Sequence, residues 1–418
     1  MAGSEVIDIL KGRGFVAQIS DEAALRKHLD GGPVTFYAGF DPTAASLHIG
    51  SLGPLMAMAH LARAGHRLIG VLGGGTAMVG DPSGRSELRQ MMTLETIAAN
   101  RRGIEPQVQR FVHDFAPEVA EAVVVDNAEW LLPLNYIEFL RDIGRHFSVN
   151  RMLTAEAYKI RLEKGLSFIE FNYQLLQAYD FLVLRRRYGC TLQVGGDDQW
   201  GNILAGTDLI RRMDQKEAYA LTFPLMQTAS GAKMGKTAAG AIWLSAALTS
   251  TFDFYQYFVN VDDRDVARFL RLYTFLPEGE LARLSALAGA EIRAAKQVLA
   301  FEVTKIVHGE AAAVAAERAA QAAFGGKGGE GDAGAEVPTH AVRAAEIAAG
   351  MKVVDLLAVC GLAASKSAAR RLVAQGGVRF GDRKIESVED AVSAADLAGD
   401  GVLLHAGKKH LRRIVLRG

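Results

Sequence analysis

The sequence predicts an α/β protein in which a parallel-sheet domain is followed by an α-helical domain and a small α+β domain. Residues 34–80 alternate short apolar strands, a helix and glycine-rich turns, which is typical of a strand–helix–strand unit with a right-handed crossover. From 252 to 324 the apolar spacing is helical, and a core pattern returns at 351–418. Between these stretches, residues 325–336 lack apolar side chains large enough to pack, which indicates a flexible linker.

The individual elements follow from apolar runs and from the turns that bound them. The predicted strands are 34–40, 67–72, 123–126 and 192–196, and the predicted helices are 50–65, 93–115, 171–184 and 202–213. The predicted domains are 1–224 for the sheet, 225–250 for a connecting loop, 251–324 for the helices, 325–340 for the linker and 341–418 for the small domain. A chain of 418 residues has room for two or three such domains.

Composition indicates a globular protein of a reducing compartment. Half of the residues are apolar and 22% are charged. The two cysteines, Cys190 and Cys360, are far apart in the chain and argue against a disulfide framework and against a structural zinc. No apolar run approaches the roughly 20 residues that cross a bilayer, and the first 15 residues do not resemble a signal peptide. We therefore expect a soluble, cytoplasmic protein with no membrane partner.

A lysine-containing motif indicates phosphate binding without a P-loop. Lys233 and Lys236 flank a glycine and precede Thr237, which gives one loop two positive charges and a hydroxyl. Residues 231–237 are one residue short of the pattern G-x4-G-K-T, and residues 73–80 do not fit G-x-G-x-x-G. The sequence thus argues against simple P-loop nucleotidases and dinucleotide-dependent dehydrogenases.

A second phosphate-facing motif stands upstream, where His48 and Gly50 begin a predicted helix. Main-chain N–H groups at a helix start favour anions, and a glycine lets a nucleotide lie close to the backbone. Thr43, in the preceding turn, adds a hydroxyl. Alone, His48 could be an ordinary helix-start histidine, and the two lysines could be solvated loop residues. Together, around a parallel sheet, the motifs indicate a site that holds a triphosphate while its α-phosphate is attacked, as in amino-acid activation.

A polar stripe on the apolar helix 171–184 suggests the pocket for the amino acid. Tyr173, Gln177 and Asp180 are spaced i, i+4 and i+7, so they project from one face. They form either a satisfied internal hydrogen-bond network or a pocket for a small polar ligand. Asp81 follows the second strand, where its carboxylate could pair with an α-ammonium. Tyr37, near the end of the first strand, could reach the pocket beside Asp180.

These residues belong to segments that together resemble the bacterial-type tyrosyl-tRNA synthetases, a family of class I aminoacyl-tRNA synthetases, and the resemblance runs essentially end to end. The segments that carry it are YAGFDPT (37–43), HIGS (48–51), GDPSG (80–84), FNYQLLQAYDF (171–181), GGDDQWGN (195–202) and KMGKT (233–237). The resemblance implies a Rossmann-like catalytic domain and an enzyme that forms aminoacyl-tRNA. It implies that the KMGKT loop closes when ATP binds.

The resemblance also implies a role for each matching residue. The tyrosine site would comprise Tyr37 and Asp180 at the phenolic hydroxyl, and Asp81, Tyr173 and Gln177 at the α-ammonium, with Gln193 nearby. The ATP and adenylate site would comprise Gly39, Asp41, His48, Gly50, Ser51, Asp198, Gln199 and Lys236. The catalytic residues at the β- and γ-phosphates would be Thr43, His48, Lys233, Lys236 and Thr237, with Arg85 and Arg89 adding positive charge.

The implied substrates are L-tyrosine, ATP with Mg²⁺ and tRNA(Tyr), with no metal bound by protein side chains, and the implied assembly is a homodimer. Three positions depart from the family pattern. Ser51 stands where the second histidine of the HIGH motif is usual, Asp197 where serine is usual, and Arg85 where lysine is familiar. Asp197 is expected to add a negative charge beside the site, and the planar guanidinium of Arg85 to pair differently from lysine.

The C-terminal domain, 341–418, carries a net charge of +5 although the whole chain is neutral, which indicates an anionic partner unless the imbalance is chance. It resembles the small RNA-binding module of a small-subunit ribosomal protein, and the resemblance implies that it grips tRNA. The basic residues expected at tRNA are Lys366, Arg370, Arg371, Lys408, Lys409, Arg412 and Arg413. The helical domain would be the other surface that faces tRNA.

Two alternatives remain at the level of sequence. A tryptophan-specific enzyme of the same class is the nearer one, and the preference for the amino-acid side chain would decide it. An RNA-binding relative with an inactive site is the other. His48, Lys233, Lys236, Asp81 and Asp180 are all present, which argues against an inactive site.

Overall fold

The structure is a computed structural model, and it describes residues 3–83, 91–115, 123–231, 234, 236–237, 240–324, 337–348, 350–397, 399, 401–407 and 410–417. The chain forms two compact units, Met1–Met234 and Gly235–Gly418. Within the described ranges, no helix is both long enough and apolar enough to span a membrane.

The first unit is an α/β domain. Its strands are β1 (Gln18–Ile19), β2 (Thr35–Phe40), β3 (Arg67–Leu72), β4 (Val123–Asp126), β5 (Leu192–Gly196) and β6 (Tyr219–Phe223). Its helices are α1 (Glu5–Arg13), α2 (Glu22–Asp30), α3 (Ile49–Arg63), α4 (Leu94–Phe115), α5 (Ala128–Leu131), α6 (Tyr136–Asp142), α7 (Val149–Met152), α8 (Glu156–Leu162), α9 (Phe168–Tyr188) and α10 (Trp200–Asp214).

The sheet of the first unit has the strand order β1-β6-β5-β2-β3-β4, and its neighbours are parallel except for β1, which is antiparallel to β6. The predicted parallel α/β sheet is thus confirmed. Strand β6 is buried along its whole length, and it was not predicted because a short apolar run shows no periodicity. Strand β2 lies between β3 and β5 in the sheet. On one side of β2 the chain adds β3 and β4, and on the other side it adds β5 and β6, so the chain order reverses between β2 and β5.

Helix α9 carries the predicted polar stripe, and its N-terminus is held firmly. The Ser167 side chain accepts a hydrogen bond from the Glu170 N–H, and the Glu170 carboxylate accepts one from the Ser167 N–H, which forms a capping box. Arg161 forms a buried ion pair with Glu170 at 3.2 Å. At Gly206, helix α10 approaches so closely that a Cβ would lie 2.9 Å from the Phe181 ring. These contacts fix the helix that faces the site.

The second unit contains a helical part and a C-terminal α+β part. The helical part has α11 (Thr251–Val259), α12 (Asp263–Tyr273), α13 (Glu278–Ser285), α14 (Ile292–His308) and α15 (Glu310–Phe324), preceded by β7 (Lys236–Thr237) and β8 (Gly240–Ala241). The C-terminal part has β9 (Thr339–Arg343), α16 (Ala344–Ile347), β10 (Met351–Lys352), α17 (Val353–Val359), α18 (Lys366–Ala374), β11 (Val378–Phe380), β12 (Arg383–Lys384), β13 (Ala391–Val392), β14 (Val402–Ala406) and β15 (His410–Arg417).

The C-terminal part is built on a sheet of order β12-β11-β14-β15-β9, against which α17 and α18 pack through a common apolar core. Four residues of the predicted linker 325–340, residues 337–340, are among the described residues. Val337 is 3% exposed and packs with Leu411, and β9 pairs in parallel with β15. Residues 325–336 lie outside the described residues, so the flexibility expected of them stays a prediction.

Candidate active site

A cavity of about 400 Å³ opens at the carboxyl ends of β2 and β5, where the chain order of the sheet changes direction. Ligands of open α/β sheets bind at this place. The predicted residues that line it are Tyr37, Gly39, Asp41, Thr43, His48, Gly50, Ser51, Asp81, Tyr173, Gln177, Asp180, Gln193, Asp198 and Gln199. A larger cavity of about 650 Å³ also borders Asp198 and Leu225, but the predicted tyrosine-site residues all line the smaller one.

The Asp180 carboxylate is fixed by two donors that follow β4. Trp130 Nε1 donates to Oδ1 at 2.7 Å, and Asn127 Nδ2 donates to Oδ2 at 2.9 Å. Burial raises the pKa of Asp180 to about 7, against the effect of these two hydrogen bonds, which favour the charged form. Asn127 and Trp130 were not predicted from the sequence. Their signal was their place directly after a predicted strand, at the sheet edge where ligand-binding side chains collect.

Two buried polar atoms on the cavity wall, Tyr37 Oη and Gln193 Oε1, have no hydrogen-bond partner among the described residues. The Tyr37 ring packs edge-on against Phe181, with ring centroids 5.2 Å apart. Burial, together with the nearby Asp180, raises the pKa of Tyr37 well above its usual value, so its hydroxyl stays protonated. Because an unpaired buried hydroxyl is costly, a ligand with a matching polar group would stabilise this wall.

Asp81 belongs to a hydrogen-bond network that holds its carboxylate on the cavity wall. Its Oδ1 accepts from the Ser83 N–H at 2.9 Å, and its Oδ2 accepts from Gln199 Nε2 at 2.7 Å. Gln199 Oε1 in turn accepts from Asn202 Nδ2 at 3.2 Å. The side chain of Gln199, predicted at the adenylate, therefore also orients the carboxylate predicted at the α-ammonium.

Asp41 and Tyr173, predicted at different parts of the ligand, are linked directly. The Tyr173 hydroxyl donates to Asp41 Oδ2 at 3.3 Å, and Thr76 Oγ1 donates to Asp41 Oδ1 at 3.0 Å. A Cβ at position 73 would lie 2.1 Å from Asp41 Oδ1, so this approach requires Gly73. Thr76 was not predicted, since nothing in its local sequence marks it as a partner of Asp41.

One residue of the lysine-containing motif, Met234, lies against the start of α3 in the first unit. His48 is the N-cap of α3, and its Nδ1 accepts a 2.9 Å hydrogen bond from the Gly50 N–H. A Cβ at position 50 would lie 2.6 Å from the His48 ring and 2.8 Å from the Met234 carbonyl oxygen. The main chain of Met234 therefore lies beside the start of α3. Ser51 also lines the cavity, which leaves a hydroxyl at the position of the usual histidine.

Asp197, which was expected to add a negative charge beside the site, forms hydrogen bonds within the sheet instead. Its Oδ1 accepts hydrogen bonds from Gln18 Nε2 and from Thr222 Oγ1, both at 2.8 Å. These partners lie on the paired strands β1 and β6. Asp197 borders the larger cavity, whereas Asp198 borders both. The Asp197 carboxylate thus links β1 to β6 at the edge of the sheet.

Seven residues predicted at the phosphates or at tRNA lie wholly or partly outside what the structure describes. Arg85, Arg89, Lys233, Lys408 and Lys409 lie outside the described residues. For Lys236 and Thr237 the backbone is described, and it pairs with β8 in a short antiparallel ladder within the second unit. The roles assigned to these seven residues stay predictions.

The described basic residues of the C-terminal part have different surroundings. Arg370 and Arg371 are exposed on α18, and Lys366 forms an exposed ion pair with Asp355 at 2.8 Å. Arg412 is directed at the helical part. Arg413 is partly buried, and its Nε has no hydrogen-bond partner among the described residues.

The fold and the cavity are those expected of a class I aminoacyl-tRNA synthetase, and comparisons with known proteins agree. The family model described as tRNA synthetases class I (W and Y) matches residues 29–325. A second family model, described as the Tyrosine--tRNA ligase SYY-like C-terminal domain, matches residues 332–414.

Individual relatives indicate which family within this class the chain resembles. The chain is 53% identical to the tyrosine--tRNA ligase of Desulfosudis oleivorans, over 99% of both chains. It is 51% identical to that of Clostridium botulinum strain Loch Maree, over 99% of this chain and 100% of the relative. A C-terminally truncated mitochondrial tyrosyl-tRNA synthetase from Aspergillus nidulans has a TM-score of 0.68 at 30% identity, over 76% of this chain and 94% of that one. The chain belongs to the tyrosine–tRNA ligase family.

Proposed function

We propose that this chain activates L-tyrosine with ATP and transfers the tyrosyl group to the 3′-terminal adenosine of tRNA(Tyr). The observation that carries the proposal is that two groups line one cavity: the Tyr37 hydroxyl, which has no hydrogen-bond partner among the described residues, and the buried Asp180 carboxylate. A phenolic hydroxyl can accept from Tyr37 and donate to Asp180. Phenylalanine would leave the Tyr37 hydroxyl without an acceptor and would bring no donor to Asp180, a mode of rejection for which this family is itself a standard example.

The other end of the amino acid is bound by carboxylate and neutral polar groups. Asp81 pairs with the α-ammonium, and Tyr173 and Gln177 complete its hydrogen bonds, with Gln193 close by. The network through Gln199 supports this role, because it keeps the Asp81 carboxylate from rotating. The α-carboxylate of tyrosine then points towards the nucleotide.

In the first step, a carboxylate oxygen of tyrosine attacks the α-phosphorus of ATP in line, and the bond to the bridging oxygen of the β-phosphate breaks. Tyrosyl-adenylate forms and pyrophosphate leaves, so no protein nucleophile is needed. Catalysis rests on positioning and on stabilisation of phosphate charge. ATP enters as its magnesium complex. The groups that hold its β- and γ-phosphates are Thr43, His48, Lys233, Lys236 and Thr237, with Arg85 and Arg89, while Gly39, Asp41, Gly50, Ser51, Asp198 and Gln199 contact the adenylate.

In the second step, a ribose hydroxyl of the 3′-terminal adenosine attacks the carbonyl carbon of tyrosyl-adenylate, the bond from that carbon to the phosphate oxygen breaks, and AMP leaves with the tyrosyl group now on tRNA. The second unit holds this tRNA, and the reaction takes place in the cytoplasm. The exposed side chains of Arg370 and Arg371 support phosphate binding by α18. Lys366, Lys408, Lys409 and Arg413 are the further residues that we assign to tRNA. Because such contacts release counterions, affinity for tRNA falls as the salt concentration rises.

The enzyme acts as a homodimer. Support comes from large apolar side chains that are exposed in the segment 132–169 of the first unit. They are Leu132, Tyr136, Ile137, Leu140, Val149, Leu162, Phe168 and Ile169, of which Ile137 is 69% and Phe168 71% exposed. Apolar surface of this kind marks interaction sites. Sedimentation equilibrium of Phe168→Asp beside the parent would show a monomer if a second copy covers this segment, and an unchanged mass would contradict the assignment.

The deciding experiment is amino-acid-dependent ATP–pyrophosphate exchange with tyrosine, phenylalanine and tryptophan, followed by charging of tRNA(Tyr). We expect exchange with tyrosine at low concentration and none with tryptophan. Exchange driven best by tryptophan would reassign the pocket. Folded protein that gives no exchange with any of the three, yet binds tRNA, would support the RNA-binding alternative.

A further inference from the structure

The C-terminal part and the helical part of the second unit meet at a small apolar joint. Val337 and Leu411 come from the C-terminal part, and Phe252 and Ala319 from α11 and α15. All four are at most 3% exposed. Such a contact buries few side chains, so on its own it resembles the weak interfaces across which domains move.

One ion pair crosses the same joint. Arg412 Nη1 donates to Asp253 Oδ1 at 2.9 Å, and Arg412 Nη2 lies 2.9 Å from Asp253 Oδ2, so the contact is bidentate. The two side chains are only 20% and 26% exposed. A bidentate arginine–carboxylate pair fixes relative orientation as well as distance, which an apolar contact does not.

Both partners are oriented by their own part of the chain. The Ser250 hydroxyl donates to Asp253 Oδ2 at 2.8 Å and accepts from the Asp253 N–H, which holds Asp253 in the first turn of α11. Arg412 Nη1 also donates to the Leu411 carbonyl oxygen at 3.0 Å, which holds the guanidinium against its own strand. Little side-chain freedom remains to be lost when the pair forms, so the pair is worth more than a mobile surface salt bridge.

We propose that Arg412 and Asp253 are positioning residues that lock the C-terminal part onto the helical part, so that the two bind one tRNA as a single rigid surface. The proposal rests on the proposed function, and it reassigns Arg412 from tRNA contact to domain orientation. Arg370 and Arg371, exposed on α18, then keep a fixed place relative to the helical part. A bound tRNA no longer has to order the two parts against each other, which lowers the cost of binding.

The test compares Asp253→Asn, Arg412→Asp, Asp253→Arg and the double swap Asp253→Arg with Arg412→Asp, which keeps the net charge of the parent. Spin labels on cysteines introduced at the exposed positions Ala288 and Gln375 report the distance between the two parts, since the native cysteines are buried. We expect a narrow distribution of distances in the parent, a broad one in each single variant, and a narrower one again in the swap. Distributions as narrow in the single variants as in the parent would overturn the proposal.

Charging assays supply the functional readout. In the single variants we expect KM for tRNA to rise about tenfold with kcat little changed, and the swap to recover most of the loss. Tyrosine-dependent ATP–pyrophosphate exchange should stay at the parent's level. The isosteric Asp253→Asn keeps the helix start intact and guards against misfolding.

A different result is expected if Arg412 instead contacts a phosphate. Asp253 variants would then bind tRNA normally, and the swap would not recover the affinity for tRNA. Arg412→Asp would reduce the slope of log affinity against log salt concentration by about one. Parent protein that fails to charge tRNA would refute the proposed function, while the distance distributions would still decide the role of the ion pair.

Discussion

The indole nitrogen of Trp130 donates a 2.7 Å hydrogen bond to Asp180 Oδ1, and this contact joins the residue after β4 to the helix that faces the cavity. Burial raises the pKa of Asp180 to about 7. A carboxyl in an unfolded chain ionises near pH 4, so between about pH 4 and 7 the folded protein keeps a proton that the unfolded chain has released. This group therefore lowers stability as the pH rises through that window. Such a cost is expected where an ionised group serves binding.

Tyrosine binding should depend on pH in a way that phenylalanine binding does not. Only the ionised Asp180 can accept from the phenolic hydroxyl without giving up its two existing donors. We expect Kd for tyrosine to rise as the pH falls below about 7, by up to about tenfold per pH unit. Calorimetric titrations between pH 5.5 and 8.5 would measure it, with phenylalanine as the control for the shared ammonium and carboxylate. Parallel pH profiles for the two amino acids would contradict the role of Asp180.

Trp130→Phe should shift the pH dependence of tyrosine binding. The substitution removes a hydrogen bond to the charged form of Asp180, so its pKa rises further and the midpoint of tyrosine binding shifts upward by about one pH unit. At pH 7 tyrosine binds more weakly, and at pH 9 the affinity of the parent returns. The same titration on Trp243→Phe, in the second unit, controls for loss of an indole. A profile that weakens equally at every pH would point to lost packing instead.

Tyr37→Phe should separate stability from specificity. The Tyr37 hydroxyl is buried without a partner among the described residues, so its removal should leave the free energy of unfolding unchanged or raise it by about 1 kcal/mol. The preference for tyrosine over phenylalanine in ATP–pyrophosphate exchange should fall, because one hydrogen bond to the substrate is gone. Urea denaturation without ligand measures the first effect. A clear loss of stability would mean that Tyr37 is already satisfied in the free protein.

The sequence predicted the parallel sheet and the polar face of α9 because both depend on local patterns. Strands 67–72, 123–126 and 192–196 have the same bounds in the structure as in the prediction. The spacing of Tyr173, Gln177 and Asp180 on one helix was enough to place them on one face, and all three line the cavity. Their chemical roles were inferred from a family resemblance. Measurements of tyrosine binding and of ATP–pyrophosphate exchange are the tests of these roles.

Contacts between distant segments could not be predicted. Asn127 and Trp130 meet Asp180 from about 50 residues away, and Asp253 meets Arg412 across 159 residues. A hydrogen bond of this kind leaves no periodicity in the sequence. For the same reason Arg412 was counted with the tRNA-binding residues, since a basic side chain looks alike whether it faces RNA or a carboxylate of its own chain.

Asp197→Ser, which restores the residue usual in the family, should destabilise this protein. Asp197 Oδ1 accepts from both Gln18 and Thr222, and the shorter serine cannot keep both contacts. Losing hydrogen bonds to a charged group should lower the free energy of unfolding by about 1–3 kcal/mol. Exchange activity should change little, because Asp198 stays in place. Urea denaturation of the single variants Asp197→Ser and Thr222→Ala and of the double variant should give non-additive losses. Equal stability of parent and Asp197→Ser would refute the structural role.

Gly50→Ala should impair catalysis more than binding of tyrosine. The added Cβ would lie 2.6 Å from the His48 ring and 2.8 Å from the Met234 carbonyl oxygen, and the second of these is backbone that cannot rotate away. The main chain beside Lys233 must therefore shift, and a displacement of about 1 Å at a catalytic group can cost about a hundredfold in rate. We expect kcat for adenylate formation to fall by about that factor while Kd for tyrosine changes less than threefold.

The matched control for this substitution is Gly12→Ala, in α1, where a Cβ would meet nothing within 4 Å. Stopped-flow measurement of adenylate formation, with equilibrium binding of tyrosine on the same samples, separates the two effects. If Gly50→Ala kept the parent's kcat, the loop that carries Lys233 would not need its approach to α3, and the phosphate-binding role of the two motifs together would be wrong. If kcat and tyrosine affinity fell by the same factor, the substitution would have disturbed the whole cavity, and a specific effect on the phosphate groups would be refuted.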